Sequence, residues 1–204
     1  MYNPAVFSVS DAKRIKAFIG ENSFGIIFSQ NGGVLHDTHT PFFLSDDLKT
    51  VSGHIARANP QWQSWRTNPE VKIVFHGPHA YISPRFYVSE FNVPTWNYTA
   101  ISISGVVQVI EEPEVSKAVI QTLVERHEGK DGWKLDTEDT RYMKLLEAVV
   151  CFNVSITNIE AKFKLNQNKK KEDQESVISH LLASKSSASH DVAKLMQENN
   201  NEFN

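Results

Sequence analysis

A single cysteine, Cys151, stands in the 204 residues, which excludes an internal disulfide and any zinc site built on several thiolates. No uninterrupted apolar run approaches the roughly 20 residues needed to cross a bilayer. The first residues, MYNPAVFSVSD, lack the basic-then-apolar order of a secretion signal. A cytoplasmic protein is expected. The formal net charge is only −3, so nothing global attracts a polyanionic partner. The patterns G-x-x-x-x-G-K-[ST], G-x-G-x-x-G and G-x-S-x-G are all missing. Their absence removes the phosphate loop, the dinucleotide fingerprint and the hydrolase elbow. The histidines do not supply a metal site instead. His36 and His39 are three apart on an expected strand and point to opposite faces, and His76 and His79 flank Gly77-Pro78 with no acid close by. Cys151 reads as a small core residue.

What is present is a run of short strands framed by helices. A first helix is expected over 8–21, capped by Ser8 or Ser10, with Ala12, Ile15, Phe18 and Ile19 as its apolar stripe. A hairpin follows, with Asn31-Gly32-Gly33 as its turn. On the return strand His36, Thr38 and Thr40 share one face, a pocket wall or an exposed edge, and Pro41 favours an edge or bulge. Asn59-Pro60 starts a short helix that carries Trp62 and Trp65 on one face. VKIVFH and HAYIS read as two strands joined by a Gly77-Pro78 turn, and a long strand over 95–110 bends at Gly105. Pro113 opens a helix that Gly129 closes. A second helix over 138–148, a closing strand and a helical tail complete the order. In the tail NKKKEDQE is a solvated connector, SKSSAS a linker, DVAKLMQE a short helix, and the last residues fray. Consecutive strands with hairpin turns make the fold class α+β, mainly β: an antiparallel barrel with flanking helices rather than a parallel sheet. The expected domains are a barrel over 1–168 and a helical extension over 169–204.

The stretch 51–96 gathers three of the four tryptophans and three of the eight histidines beside short polar side chains. This is the material of a pocket for a flat, phosphorylated cofactor. His54 and Arg57 straddle a strand end that runs into the Asn59 cap, where a helix start offers free N–H groups to a phosphate. Arg57 and Asn59 equally suit a surface ion pair and a plain cap. Trp96 enters the longest strand, and Asn97 beside it offers donors and an acceptor to a ring edge; a core indole with an incidental amide is the alternative. In KFKLNQN a cation beside an aromatic can close over an anionic cofactor or protect an edge strand against aggregation.

Taken together, GHIARANPQW, GPHAYISPRFY, VPTWNY and KFKLNQN resemble the PaiB family of FMN-binding negative transcriptional regulators, and the similarity spans nearly the whole chain. The resemblance implies a split β-barrel of the pyridoxamine-phosphate-oxidase type that holds FMN as a homodimer. Carried onto matching positions, it implies cofactor contacts from His39, Thr40, His54, Ile55, Ala56, Arg57, Asn59, Ser83, Trp96, Asn97, Lys162 and Gln167. Arg57, Asn59 and Lys162 would meet the phosphate, and His54, Trp96 and Asn97 the ring or ribityl chain. Phe163 departs from the tryptophan of many relatives, keeping a ring but losing an N–H donor.

Three functions follow. A flavin-binding regulator would contact DNA by family resemblance only. A flavin-dependent oxidoreductase would use His54, His79 or Tyr81 as proton donors. A cofactor-free dimeric scaffold would keep the fold alone.

Overall fold

The computed structural model describes residues 1–136 and 138–202. Its first hairpin shows how local chemistry sets register. Gly32 and Gly33 both take positive φ, 56° and 83°, which a two-residue turn between twisted strands requires and side chains resist. The turn joins β2 (Phe24–Asn31) to β3 (Val34–Leu44) with Asn31 opposite Val34 and Gly25 opposite Thr40. Before it lie β1 (Ser8–Val9) and α1 (Ala12–Glu21). After it come β4 (Thr50–Ala56), α2 (Gln61–Ser64), β5 (Glu70–Ile82), β6 (Thr95–Val109), α3 (Pro113–Glu128), α4 (Thr140–Leu146), β7 (Val149–Lys164), α5 (Lys171–Leu182) and α6 (Ser187–Glu202). The strands form one antiparallel sheet in the order β1-β7-β4-β3-β2-β5-β6, and β6 also pairs with β7. The ladders from β7 round to β6 therefore return on themselves, leaving β1 appended to β7. This is the mainly β, antiparallel split-barrel class expected from the sequence.

Two compact units are distinguished. Unit 1 comprises residues 1–11, 76–101 and the chain from Glu160 onward; unit 2 comprises 12–75 and 102–159. In unit 2 the core centres on aromatics. The Phe42 ring meets Phe75 at 5.5 Å and Phe152 at 6.1 Å, and Trp65 meets Phe152 at 4.9 Å, all edge-on. Such pairs add about 0.5–1.5 kcal/mol each beyond the area they bury. Cys151 is buried with Val119 and Leu123 beneath α3. Burial pushes its thiol up to about 11, the value of an inert core sulfur. In unit 1, Ile82, Ile101, Phe163 and Leu165 are buried, as are Val177 and Leu181 of α5 and Val192 and Met196 of α6.

Four local expectations are corrected. Ser8 and Val9 do not begin the first helix but pair with Lys162 and Ala161, because β7 offers a ladder at that point. Gly77-Pro78 does not turn the chain, and β5 runs unbroken through it. β5 pairs with β2 from Val71 to Val74, and Pro78 lies beyond that ladder, with β6 as the strand's other neighbour. Pro41 lies on no free edge: it sits where β3 changes partner, opposite Phe24 of β2, just before Phe42 opposite Gly53 of β4. The last helix begins at Ser187, within the expected linker, and continues through Glu202, so the expected fraying of NNNEFN is overturned over 199–202, and its last two residues, 203–204, lie outside the described residues. The α3 boundaries are as expected, with Pro113 in the first turn and Gly129 at φ 72° closing it.

Gly105 is required by proximity rather than by a bend. A Cβ there would stand 2.5 Å from both the Ser155 carbonyl oxygen and Val154 Cγ1. Gly105→Ala is expected to lower the urea midpoint, by about 1–3 kcal/mol of stability as for other overpacked sites. Gly20→Ala, on α1 with nothing within 4 Å of the new methyl, is expected to gain about 0.4–1 kcal/mol.

Candidate functional site

Seven of the expected cofactor contacts lie in unit 2. His39 is exposed and Thr40 buried, since neighbours on β3 face opposite ways. Thr40 Oγ1 donates to the His54 carbonyl, bringing those two candidates together. His54 Nδ1 is buried with no partner, and burial holds its imidazole below the ordinary histidine value. Ile55 is a core side chain opposite Val150, and Ala56 is exposed opposite Val149 at the end of β4. The Arg57 Nε donates to the Glu147 carbonyl at 2.6 Å and an Nη to that of Val149 at 2.9 Å, with the remaining guanidinium N–H groups left over. It fastens the start of β7. Arg57 also lines a cavity of about 380 Å³ with Trp62, Arg66, Ser116, Met143 and Cys151.

The helix after Asn59 is one turn long, and its first free N–H, that of Gln61, is already taken by Asn59 Oδ1 at 2.9 Å. Asn59 Nδ2 in turn donates to Thr38 Oγ1 at 2.7 Å. Sequence reasoning missed the residue that organises this corner. Gln61 is buried, accepts from Thr38, and donates to Ser29 Oγ at 3.0 Å and the Ile27 carbonyl at 3.2 Å. The hydroxyl-bearing face of β3 is thus a pocket wall in one sense: it answers a buried amide. Its alternation with polar neighbours was the signal that could have pointed to such a partner.

The other five candidates lie in unit 1. Ser83 accepts from the Arg85 N–H and caps a turn over 84–86. Gln167 closes its own loop, accepting from Leu165 N and donating to the Phe163 carbonyl. Trp96 is 53% exposed while Asn97 is fully buried, so the pair cannot present one surface. Asn97 Nδ2 meets the Met196 sulfur at 3.5 Å and its Oδ1 has no partner. Around the indole stand the rings of His79 at 6.0 Å and Tyr81 at 5.9 Å, and His76 and His79 do converge, at 4.8 Å. Lys162 donates to the Tyr2 carbonyl at 3.0 Å, with Tyr2 and Tyr98 rings each 5.5 Å from its ammonium. Lys164, the second cation of KFKLNQN, donates to Thr95 Oγ1 and, at 2.8 Å, to the Trp96 carbonyl. Phe163, between the two lysines, faces the unit 1 core.

The expected solvated connector is not one. Lys169 donates to Asn92 Oδ1 at 2.6 Å and lies 5.1 Å from the Tyr87 ring. Asp173, 3% exposed, accepts from Val88 N, Ser89 N and Ser89 Oγ at 2.7–2.9 Å.

A half-exposed indole flanked by rings and lysines, on an antiparallel sheet that closes on itself, defines a split-barrel protein with an aromatic, cationic face. Comparison with known proteins carries this further. Residues 1–158 match the family described as "Putative FMN-binding domain". The Bacillus subtilis protein PAI 2, the "Protease synthase and sporulation protein PAI 2", is 35% identical over 204 residues covering 97% of each chain. The chain belongs to the PaiB family of FMN-binding proteins. Among solved structures, the flavocytochrome Anf3 of Azotobacter vinelandii superposes with a TM-score of 0.62 at 17% identity, covering 82% of this chain and 74% of that one. An FAD- and heme-binding protein of Mycobacterium smegmatis gives 0.62 at 11% identity, covering 83% and 78%. At those identities the likeness is one of fold. No helix of the described residues is long and apolar enough to cross a membrane.

Two substitutions test the local chemistry. Gln61→Leu strips a partner from buried Ser29 and from half-buried Thr38 and is expected to cost about 1–3 kcal/mol in urea unfolding. At Asp173 the backbone N–H of Ser89, then its hydroxyl, hold the carboxyl below the ordinary 3.8. A depressed carboxyl stabilises the fold above its unfolded value, and that contribution is lost as pH falls through its folded value. Asp173→Asn is therefore expected to melt lower than wild type at neutral pH, with the gap closing in acid below the usual carboxylate range.

Proposed function

We propose that this chain is an FMN-binding negative transcriptional regulator of the PaiB type, acting in the cytoplasm as a homodimer. One observation carries the flavin half of this reading. The Trp96 indole is half open to solvent among His79 and Tyr81, and the Lys164 ammonium rests on the Trp96 carbonyl. A flat apolar face beside positive charge is complementary to a planar ring that ends in a phosphate. The residues of unit 1 thus fit such a group: the indole offers a stacking surface, and Lys162 and Lys164 offer donors to an anion. When bound, FMN would supply a redox-active ring; the protein's part is to hold and shield it.

The regulatory half rests on family membership. With a net charge of −3, a general attraction to DNA is not available, so repression calls for a local patch or a partner.

Purified protein incubated with FMN and passed through a sizing column is expected to keep a flavin absorbance band and elute as a dimer. Trp96→Ala is expected to weaken FMN binding about 2- to 12-fold, the equivalent of one aromatic contact of 0.5–1.5 kcal/mol. A duplex bearing the regulated promoter should be retarded, less so as salt rises. A sample that stays colourless in excess FMN would remove the flavin reading, and steady NAD(P)H oxidation would favour an oxidoreductase over a regulator.

A further inference from the structure

On a regular strand His76 and His79, three apart, would face opposite ways. On β5 they do not. Its buried positions are odd-numbered through Val71, Ile73, Phe75 and Gly77, then even-numbered at Ala80 and Ile82. The alternation slips by one residue at Pro78-His79, as it does where a strand takes in an extra residue, a device that re-aims side chains. His76, His79 and Tyr81 are all exposed as a result. The two imidazoles meet with ring centres 4.8 Å apart and planes at 75°.

That separation has a chemical meaning. An imidazole nitrogen coordinates a zinc-like ion at about 2.0–2.1 Å, and the ring centre lies roughly 1.1 Å farther along the same line. Two rings on one ion, at an angle between square and tetrahedral, therefore stand about 4.5–5.2 Å apart, centre to centre. The observed spacing falls inside that interval. Both rings are exposed, so each can turn about its broad χ2 torsion to aim a nitrogen at a shared point. His79 Nδ1 lies 3.5 Å from the Gly77 carbonyl oxygen, which leaves Nε2 as its ligand nitrogen. The lack of a neighbouring acid in the sequence counts against a closed structural site but not against an open one, where water fills the remaining positions. Among the described residues no three His, Cys, Asp or Glu side chains are grouped for a metal, so the pair would act alone.

We propose that His76 and His79 form a two-histidine chelate on the outer face of β5 for a divalent transition-metal ion, with Cu2+ held most tightly. Imidazole suits copper, nickel and zinc, and the general order of affinity puts copper first. Mg2+, which prefers oxygen ligands, is not a candidate. The proposal does not depend on the flavin reading. Both histidines and Trp96 belong to unit 1, and the indole centre lies 6.0 Å from that of His79. An ion on the pair therefore reports itself through tryptophan emission.

The test titrates untagged protein, free of flavin and in a non-coordinating buffer, with Cu2+, Ni2+, Zn2+ and Mg2+. Bound metal is measured by equilibrium dialysis, alongside tryptophan emission and thermal midpoint. The variants are His76→Gln, His79→Gln and, as an exposed control on α3, His127→Gln. Wild type is expected to bind one Cu2+ per chain with partial quenching of tryptophan emission, Ni2+ and Zn2+ more weakly, and Mg2+ not at all. His76→Gln and His79→Gln should each lower Cu2+ affinity at least about tenfold, the loss that removing even an outer partner of a metal ligand brings. His127→Gln should bind as wild type does. Without metal all three variants should melt with wild type, because the side chains replaced are exposed, and Zn2+ should raise the midpoint of wild type and control alone. Failure of wild type to take up Cu2+ would overturn the proposal, as would equal affinity in wild type and both pair variants. A loss confined to one of the two marks a single-imidazole contact, and a loss as large in His127→Gln marks scattered surface binding; either result overturns the chelate.

Discussion

The pleat governs this molecule. Every residue on a strand is turned away from its neighbours, and where one face must close a core the other is released to meet something else. Phe163 is drawn inward, so Lys162 and Lys164 on either side must share the opposite face. Asn97 is drawn inward, so Trp96 is turned out. Thr40 is drawn in toward the His54 carbonyl, so His39 is exposed. Short motifs that look like single recognition units are in this way divided between packing and display. Only the displayed half is free to meet a ligand.

That division explains how far the sequence could be read. The hairpin at Gly32-Gly33, the helix between Pro113 and Gly129, and the strand-rich, antiparallel architecture were legible because their determinants are local: positive φ at a turn, a proline that needs no donor, alternating polarity. Ser8-Val9 was not, since a two-residue strand exists only because a distant segment offers it a ladder. Nor was the unbroken passage through Gly77-Pro78, which lies beyond the end of the β2 ladder. The site divides the same way. Trp96 could be picked out as an exposed aromatic at a strand start. Gln61 could not, because its importance lies in three partners from β2 and β3. Arg57 has the right chemistry for a phosphate, and two of its five N–H donors also fasten carbonyls at the start of β7, contacts invisible in the sequence.

Charge is distributed with equal economy in unit 1. Asp173 is buried and accepts from two backbone N–H groups and the Ser89 hydroxyl, while the lysines donate to neutral oxygens and two of them stand against tyrosine rings. The N–H groups around the Asp173 carboxylate hold it ionised, and the Lys169 ammonium adds to that effect.

The same carboxylate has a consequence for where this polypeptide could be shortened. The family match ends at residue 158, and the chain looks divisible a little beyond it. Yet Asp173 anchors Val88 and Ser89, and the Met196 sulfur meets the buried Asn97 amide. Severing the tail would leave three donors on an internal loop and one interior amide facing solvent or void, on the very segment that leads into Trp96. The helical tail is thus a keystone for a loop some eighty residues upstream, and trimmed versions should be expected to lose the aromatic face along with the helices.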